Sequence, residues 1–377
     1  MTLANKKSSN EINAHLENEI KKSIQGEVKF DDVYRQMYST DGSIYSMTPI
    51  GVTLPKTPDD VSAIIDICNR NNTAILPRGG GTSLSGQTVN SAVIIDFSKY
   101  MHNVLEINPE EKYVITEPGI TIDNLNQRLK NTNLHFTPDP STKSRANVGG
   151  AMGNNSCGSH SVIYGKTVDQ VREMEVILSD SSKAYFEELS GKRLEDKISL
   201  DNLEGKIYRD VMSMSSKYYD EINAKYSKVN RRVGGYNLDL VHPNSNKLNL
   251  VNIMVGSEGT LAAVTKAKLN LEPLPKYVGL AILHFTDLIE SMEATVATLE
   301  EGPAAVEHIG KMIITQAKQS LGFSRNLDFL QGEPTDILVV EMNGETDNEV
   351  RSKIKKFISD NTLLNPLFFI IRLKSIK

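Results

Sequence analysis

Glycine-rich segments at three distant places in the chain carry the residues that could do chemistry. The first, residues 78–87, contains three consecutive glycines, Gly79, Gly80 and Gly81, directly after an apolar run. Glycine has no Cβ, so such a backbone can adopt positive φ and present successive N–H groups to an anion. Phosphate is the natural ligand of such a loop, and a plain tight turn is the alternative.

Two further segments favour the ligand over the plain turn. Residues 148–165 interleave glycines with Asn154, Asn155 and Ser156, and residues 256–261 join the end of one extended segment to the start of another. Neither GxxxxGK[ST] nor a GxGxxG that opens a helix is present, so the commoner nucleotide-binding fingerprints are not met. The simplest explanation for three such glycine-rich segments is that they form loops around one long, polar ligand. A dinucleotide has the required length.

Composition narrows the class of protein. The 377 residues suggest two domains, and 42 basic against 47 acidic residues give a net charge of −5, so a nucleic-acid partner is a poor hypothesis. Cys68 and Cys157 are too few for a disulfide framework, which predicts a reducing, cytoplasmic location. No run reaches the roughly 18 apolar residues that a membrane span needs, so no integral membrane segment is expected.

Alternating helix and strand signals predict a mixed α and β fold. Apolar residues four positions apart in 12–24 predict an amphipathic helix, and Thr57 before Pro58 has the chemistry of a helix start. The two prolines within residues 272–275 mark the best boundary. After them, strand and helix alternate three times, which predicts a small ferredoxin-like sheet with its helices on one face. The predicted domains are a helical extension at 1–37, a first domain at 38–275 and a second at 276–377.

Several short motifs together resemble the FAD-binding domain of the vanillyl-alcohol oxidase and p-cresol methylhydroxylase (PCMH) type. Within that superfamily the chain is most similar to the FAD-linked oxidases of D-2-hydroxy acids, the branch of D-lactate dehydrogenase (cytochrome), the glycolate oxidase flavin subunit and D-2-hydroxyglutarate dehydrogenase. The sequence of residues 155–161 is most similar to that of the long members, which are fused to an iron–sulfur domain. The matching motifs are residues 77–87, 138–141, 148–150, 154–158, 164–167 and 256–261.

The resemblance implies an α+β fold: a PCMH-type FAD-binding domain of two α+β subdomains, followed by a partial ferredoxin-like α+β substrate domain. It implies FAD as the cofactor, with residues 77–83 around the pyrophosphate, 138–144 and 153–156 along the flavin and its ribityl chain, and 258–264 at the adenosine side. The implied cofactor-binding residues are Pro77, Arg78, Gly79, Gly80, Gly81, Thr82, Ser83, Pro138, Asp139, Ser141, Ser144, Gly149, Gly150, Gly153, Asn154, Asn155, Ser156, Gly158, Glu258, Gly259, Thr260, Leu261 and Val264. No residue is assigned to catalysis or to a metal.

The implied activity is that of an FAD-dependent dehydrogenase or oxidase acting on CH–OH groups. It oxidises a D-2-hydroxy acid (D-lactate, glycolate or D-2-hydroxyglutarate) to the 2-oxo acid by hydride transfer to flavin N5. Electrons then pass to an iron–sulfur, quinone or cytochrome acceptor, in the cytoplasm or peripheral to the inner membrane. Two alternatives stay open: a non-catalytic FAD-binding fragment of such an enzyme, and a sugar or alcohol oxidase of the same superfamily.

Other residues receive the plainer interpretation. His160 is expected next to a flavin that is bound without a covalent bond, His284 and His308 are expected to be packed or surface residues, and Cys157 is expected to be a small buried thiol. Arg78 is expected to pair with a phosphate or a carboxylate. The segment 232–240 resembles a family motif that precedes the third glycine loop, and its role is expected to be structural.

The end of the chain departs from the family pattern. Relatives continue with a histidine-bearing segment, whereas residues 363–377 are apolar and basic. The basic residues of this tail, Arg372, Lys374 and Lys377, are interpreted as part of an unfolded end. The chain is therefore expected to be C-terminally truncated.

Overall fold

The computed structural model describes residues 9–242, 245–360 and 369–375, and side chains within 13–242 and 245–359. The helices are α1 Ser9–Ser23, α2 Asp32–Met37, α3 Pro58–Arg70, α4 Ile122–Leu129, α5 Val148–Gly153, α6 Ser161–Tyr164, α7 Gly191–Ile198, α8 Leu203–Lys217, α9 Tyr219–Lys225, α10 Val251–Met254, α11 Leu288–Glu300, α12 Lys311–Gln319 and α13 Asp347–Asp360. The strands are β1 Glu27–Lys29, β2 Gly51–Leu54, β3 Ile75–Arg78, β4 Val93–Asp96, β5 Val104–Asn108, β6 Tyr113–Thr116, β7 Leu134–His135, β8 Val171–Ile177, β9 Lys183–Phe186, β10 Glu188–Ser190, β11 Lys247–Asn249, β12 Ala263–Asn270, β13 Glu272–Pro273, β14 Tyr277–Phe285, β15 Ala305–Ile309, β16 Asp336–Gly344 and β17 Phe369–Ser375.

The chain divides into two compact units. Unit 1 comprises residues 1–156 and 166–272, and unit 2 comprises residues 157–165 and 273–377. The prediction of a mixed α+β fold is confirmed. The three predicted domains, 1–37, 38–275 and 276–377, stay a prediction.

Unit 1 contains two larger sheets. In the first, of order β1-β2-β4-β3, β4 lies parallel to both β2 and β3, and β1 is antiparallel to β2. The second is an antiparallel sheet of order β5-β6-β12-β8-β9. Val93 and Ile95 of the first sheet are buried in one apolar cluster, which Ile177 and Ala263 of the second sheet also join, whereas most other buried residues of the second sheet form a separate cluster. The two sheets of unit 1 therefore share part of their core.

The helix signals in the sequence explain how the first sheet is covered. Thr57 caps α3 by accepting a hydrogen bond from the N–H of Asp60, and Pro58 occupies the first helical turn, as predicted. Leu16 and Ile20 of α1 are buried in the same apolar cluster as Val61 and Ile64 of α3. The amphipathic spacing in the leading helix therefore reflects packing against α3.

Unit 2 is built on an antiparallel sheet of order β15-β16-β14-β17. Residues of α11 and α13 pack on one face with Leu283, whereas Ile314 of α12 packs on the other face with Ile282 and Ile337. The prediction that helices cover only one face is wrong for α12. Strand side chains alternate between faces, and both faces of β14 and β16 are apolar, so each face needs a cover.

The basic tail is partly a strand. Residues 369–375 form β17, which pairs antiparallel with β14, so that Arg372 lies opposite Leu280 and Lys374 opposite Val278. The interpretation of Arg372 and Lys374 as part of an unfolded end is wrong. An unpaired β14 would expose a long row of backbone N–H and C=O groups, and β17 satisfies them. Lys377 lies outside the described residues.

Candidate functional site

The first glycine-rich loop begins where β3 ends. Strand β3 pairs with β4 as far as Arg78 opposite Asp96, and Gly81 then takes a φ of +65°. Among the described residues, the backbone N–H groups of residues 79–83 donate no hydrogen bond to another group of the protein. Such a run of unbonded donors is the arrangement that binds an anion.

Glycine is required in this loop because a second segment passes directly against it. A Cβ at Gly80 would lie 2.3 Å from the carbonyl oxygen of Arg145, and a Cβ at Gly79 would lie 2.7 Å from Oδ1 of Asn147. A side chain at Gly80 would require the backbone to move, whereas a side chain at Gly79 would require Asn147 to shift. Asn147 immediately precedes α5, so the close approach joins the first glycine-rich segment to the second.

The third glycine-rich turn is fastened to both of the others. The N–H of Gly256 donates to the carbonyl of Met152 at 2.8 Å, and the N–H of Glu258 donates to the carbonyl of Gly153 at 2.9 Å. Gly259 has a φ of +76°, and its Cβ position lies 3.4 Å from the Pro77 ring. Three segments that are far apart in sequence thus meet at one place in unit 1.

A cavity of about 90 Å³ lies where they meet. Its predicted lining residues are Pro77, Arg78, Gly79, Ser83, Gly149, Gly150, Gly153, Asn154, Glu258, Gly259 and Val264. A second cavity, of about 170 Å³, is lined by Gly80, Gly81, Thr82 and Ser156 and shares Gly79, Ser83, Thr88, Gly150 and Asn154 with the first. The two cavities share five lining residues, so together they outline one elongated site.

The remaining predicted residues lie elsewhere. Ser144 lines a third cavity together with Gly80, and Gly158 belongs to unit 2. Pro138, Asp139, Ser141, Asn155, Thr260 and Leu261 line none of these three cavities. Asn155 has a clear structural task, because it is fully buried and its Oδ1 accepts the N–H of Val168 at 3.0 Å.

Several lining residues were not found from the sequence. Phe97 follows β4, and Pro118 lies against Gly149, whose N–H donates to the Pro118 carbonyl at 2.8 Å. The pair Pro118-Gly119 signals a turn, but no local pattern indicates that this turn touches the second glycine-rich segment. The lining residues of the first cavity that lie outside every predicted segment are Thr88, Phe97, Pro118 and Met254, whereas Gln87, Met152, Ser257 and Ala262 lie in predicted segments but were not named individually as cofactor-binding residues.

Arg78 does not pair with a carboxylate, contrary to one of the two expectations. Its guanidinium donates to the backbone carbonyls of Tyr38, Thr40 and Thr88, and it forms no ion pair within the described residues. Burial lowers the pKa of Arg78, and the nearby Asp96 carboxylate partly offsets this.

The segment 232–240 makes structural contacts next to the third glycine-rich turn. The side-chain amide of Asn237 donates to the carbonyls of Asn252 and Val255, just before the third turn. The hydroxyl of Tyr236 is 2.8 Å from that of Thr260, inside the turn. These contacts brace the third glycine-rich turn from its outer side.

The expectations for His160, His284, His308 and Cys157 are met only in part. In unit 2, Nε2 of His160 lies 2.9 Å from Oε1 of Glu341 on β16, His284 is fully buried, and His308 is 3.0 Å from Asp336. Cys157 is half-buried, not buried as expected. In the described part of the chain, no group of His, Cys, Asp and Glu side chains is arranged to hold a metal ion. None of the described helices is long and apolar enough to cross a bilayer.

The residues present fit an FAD molecule. Asn147 is 3% exposed, and its Oδ1 has no hydrogen-bond partner. A Cβ at Gly150 would meet no atom within 4 Å, so this glycine borders open space in both cavities. The unbonded backbone donors suit a diphosphate, the Asn147 oxygen can accept from a hydroxyl group of the nucleotide, and the glycine wall lets the ligand approach closely.

Comparison with protein families identifies the class. Residues 49–182 match the family model "FAD binding domain". This match supports an FAD-binding domain in that part of the chain, and the resemblance to FAD-binding proteins found in the sequence is confirmed. Two solved structures of alkyldihydroxyacetonephosphate synthase share the fold, with TM-scores of 0.63 and 0.65 at 17% and 16% identity; they cover 92% and 98% of this chain and 60% and 62% of theirs.

Curated relatives belong to the branch that the motifs indicated. D-2-hydroxyglutarate dehydrogenase of Pseudomonas putida is 30% identical over 342 residues, which are 89% of this chain and 34% of the relative. Glycolate oxidase subunit GlcD of Bacillus subtilis is 26% identical, covering 88% of this chain and 60% of its own length. The probable mitochondrial D-lactate dehydrogenase of Danio rerio is 27% identical over 78% of this chain and 50% of its own length. The chain thus spans about a third of the D-2-hydroxyglutarate dehydrogenase.

Proposed function

We propose that FAD lies in the two connected cavities of unit 1. The N–H groups of residues 79–83 bind its diphosphate, residues 258–264 border the adenosine, and residues 138–144, through Thr142, and residues 153–156 border the flavin and ribityl chain. The observation that carries this proposal is the convergence of three distant glycine-rich segments on one cavity, with successive backbone donors unbonded.

The reaction we propose is the oxidation of a D-2-hydroxy acid to the 2-oxo acid. FAD, when bound, supplies the hydride acceptor. The chain's own residues hold the cofactor and exclude water from its apolar surface, through Phe97, Met152 and Met254. Support comes from the relatives, which are named for D-2-hydroxyglutarate, glycolate and D-lactate.

We also propose that the electrons pass to an iron–sulfur, quinone or cytochrome acceptor. The site of action is the cytoplasm or the cytoplasmic surface of the inner membrane. The two cysteines support a reducing compartment, since Cys68 and Cys157 are both unpaired thiols, and burial raises the pKa of Cys68 to about 12.

Anaerobic substrate reduction tests the proposed reaction. The purified chain is loaded with FAD, freed of excess cofactor and mixed separately with D-lactate, glycolate and D-2-hydroxyglutarate, with L-lactate as the stereochemical control. Loss of the oxidised-flavin absorbance with one D-acid, and its retention with L-lactate, is the expected result. A chain that does not retain FAD contradicts the binding proposal itself.

A second candidate function is FAD binding without turnover. The observation that favours it is that the described residues lining the two cavities include no histidine or lysine that could act as the base. In the same experiment, tight FAD retention with no bleaching by any 2-hydroxy acid supports this candidate. Adding sugars and simple alcohols to the panel separates the third alternative, a sugar or alcohol oxidase.

A further inference from the structure

A short segment before the matched family domain packs on the first glycine-rich loop. Residues 38–47, here called the arm, close on themselves: the N–H of Met47 donates to the carbonyl of Ser39 at 2.8 Å, and Thr40 pairs with Ser46. The family model matches residues 49–182, so the arm lies outside it. The contacts of the arm therefore belong to no assigned part of the cofactor site.

Arg78 ties the arm to both ends of the loop. Its Nη1 donates to the carbonyl of Tyr38 at 3.1 Å and to that of Thr88 at 2.8 Å, while Nη2 donates to the carbonyl of Thr40 at 2.8 Å. The guanidinium carbon lies 5.1 Å from the centre of the Tyr38 ring. A single side chain thus connects the arm, the end of β3 and the far end of the loop.

Direct contacts between the arm and the loop add to this connection. The N–H of Gly42 donates to the carbonyl of Gly81 at 2.9 Å, and the carboxylate of Asp41 accepts the Thr88 hydroxyl at 2.9 Å. A Cβ at Gly81 would lie 2.6 Å from Nη2 of Arg78. These contacts engage carbonyl oxygens and side chains, and they leave the N–H groups of residues 79–83 unbonded.

The hydroxyl of Tyr38 anchors the arm to the sheet. It donates to the carboxylate of Asp96, a residue that is 4% exposed at the end of β4. Burial and the Asp96 charge raise the pKa of Tyr38, so the phenol stays protonated and keeps donating at neutral pH. Strand β4, the arm and the loop are consequently joined in one network.

We propose that the arm and Arg78 form a clasp that holds the first glycine-rich loop in the shape that binds the FAD diphosphate, with Arg78 acting as a positioning residue. The inference rests on the proposed FAD binding. A glycine-rich loop has high backbone entropy when free, so fixing its shape before binding lowers the cost of association. Arg78 supplies that rigidity because its planar fork holds three carbonyls at once, which the three-donor ammonium of lysine cannot do with the same geometry.

The test compares Arg78→Lys with Arg70→Lys as the matched control. Arg70 is an exposed arginine of α3 that pairs with Glu19 and Asp66. The dissociation constants of FAD and of ADP are measured by flavin fluorescence and calorimetry, and the ³¹P resonances of bound FAD are recorded. For Arg78→Lys we expect both constants to rise about tenfold to a hundredfold, together with displaced or broadened ³¹P resonances. Arg70→Lys should match the wild type.

A second variant protects the test against a folding failure. Asp41→Asn keeps the size of the side chain and weakens the contact with Thr88, so we expect a rise of roughly threefold in both dissociation constants. Tyr38→Phe retains the carbonyl that accepts from Arg78 and should change the ³¹P resonances less than Arg78→Lys does.

The outcomes separate the clasp from the binding proposal. If the wild type binds FAD and both Arg78→Lys and Asp41→Asn bind it with unchanged affinity and unchanged ³¹P resonances, the clasp is wrong and FAD binding stands. If Arg78→Lys lowers only the melting temperature, Arg78 stabilises the fold and positions nothing. A wild type that retains no FAD overturns both proposals.

Discussion

The first and third glycine-rich turns have similar composition and opposite hydrogen bonding. In the first, the N–H groups of residues 79–83 are unbonded, whereas in the third Gly256, Ser257, Glu258 and Thr260 all donate to backbone carbonyls. Arg78 contacts the backbone on either side of the first loop. The third turn is held by the hydrogen bonds that its own N–H groups donate. Glycine content therefore indicates a sharply turning backbone. Whether the N–H groups already donate hydrogen bonds within the protein distinguishes a loop that can bind an anion from a turn that holds neighbouring segments together.

Substitution of Gly80 should have the largest effect, because it obstructs the binding loop itself. In Gly80→Ala the new Cβ falls 2.3 Å from the Arg145 carbonyl oxygen, and backbone has to move. We expect the dissociation constant of FAD to rise about a hundredfold, with unfolding free energy lowered by about 1–3 kcal/mol. Fluorescence titration and chemical denaturation measure the two. Gly234→Ala, where a Cβ meets nothing within 4 Å, is the control.

Gly150→Ala should separate binding from stability. The position lies in α5 and faces open space, so alanine stabilises the helix by up to about 1 kcal/mol. The methyl group, however, enters the space shared by both cavities and should weaken FAD binding roughly tenfold. Thermal unfolding with and without FAD reports both effects. A more stable variant with wild-type affinity would place the cofactor elsewhere.

Loosening the third turn should affect stability more than binding. Tyr236→Phe removes the hydroxyl that contacts Thr260, and Tyr236 is 39% exposed. We expect the unfolding free energy to fall by about 0.5 kcal/mol and FAD affinity to fall less than about threefold. Urea denaturation and FAD titration give the values. An affinity loss as large as that of Gly80→Ala would erase the distinction between the two turns.

The smallest effect is expected at Glu27, which touches neither turn. Its hydrogen bonds to Lys99 and Tyr100 lower its pKa from 4.5 to about 2. A lowered folded-state pKa contributes stability that is present above about pH 4.5 and is lost as the pH falls toward 2. Glu27→Gln should lower the melting temperature at pH 7 by about 1 °C, since the pair is partly exposed. This difference should shrink below pH 4.5, and FAD affinity should be unchanged throughout.

Much of the fold follows from local signals. Thr57 and Pro58 fix the start of α3 because a hydroxyl cap and a proline suit the first turn of a helix. The strand and helix order of residues 277–360 agrees with the prediction, since each element carries its own apolar period. The position of α12 on the opposite face could not be predicted, because both faces of its sheet are apolar and periodicity does not choose between them.

The site residues that are set by backbone conformation could be predicted from the sequence. The site residues that are set by tertiary contacts could not. The glycines of the first loop were found because only glycine fits against Arg145 and Asn147. The carbonyl groups that accept hydrogen bonds from Arg78 were not predicted. Every residue has a backbone carbonyl, so the sequence does not indicate which ones an arginine contacts. Pro118 and Phe97 were missed for a related reason: each ends an ordinary element, and only the folded chain brings them to the cavity.

The excursion of residues 157–165 into unit 2 has a practical consequence for cloning. Helix α6 lies against β15, and His160 contacts Glu341, although both are encoded more than a hundred residues upstream of those strands. A gene cut at codon 272 would leave α6 without its supporting sheet, and a gene started at codon 273 would give a sheet without this helix. Libraries that recombine the two units should therefore exchange residues 157–165 together with 273–377.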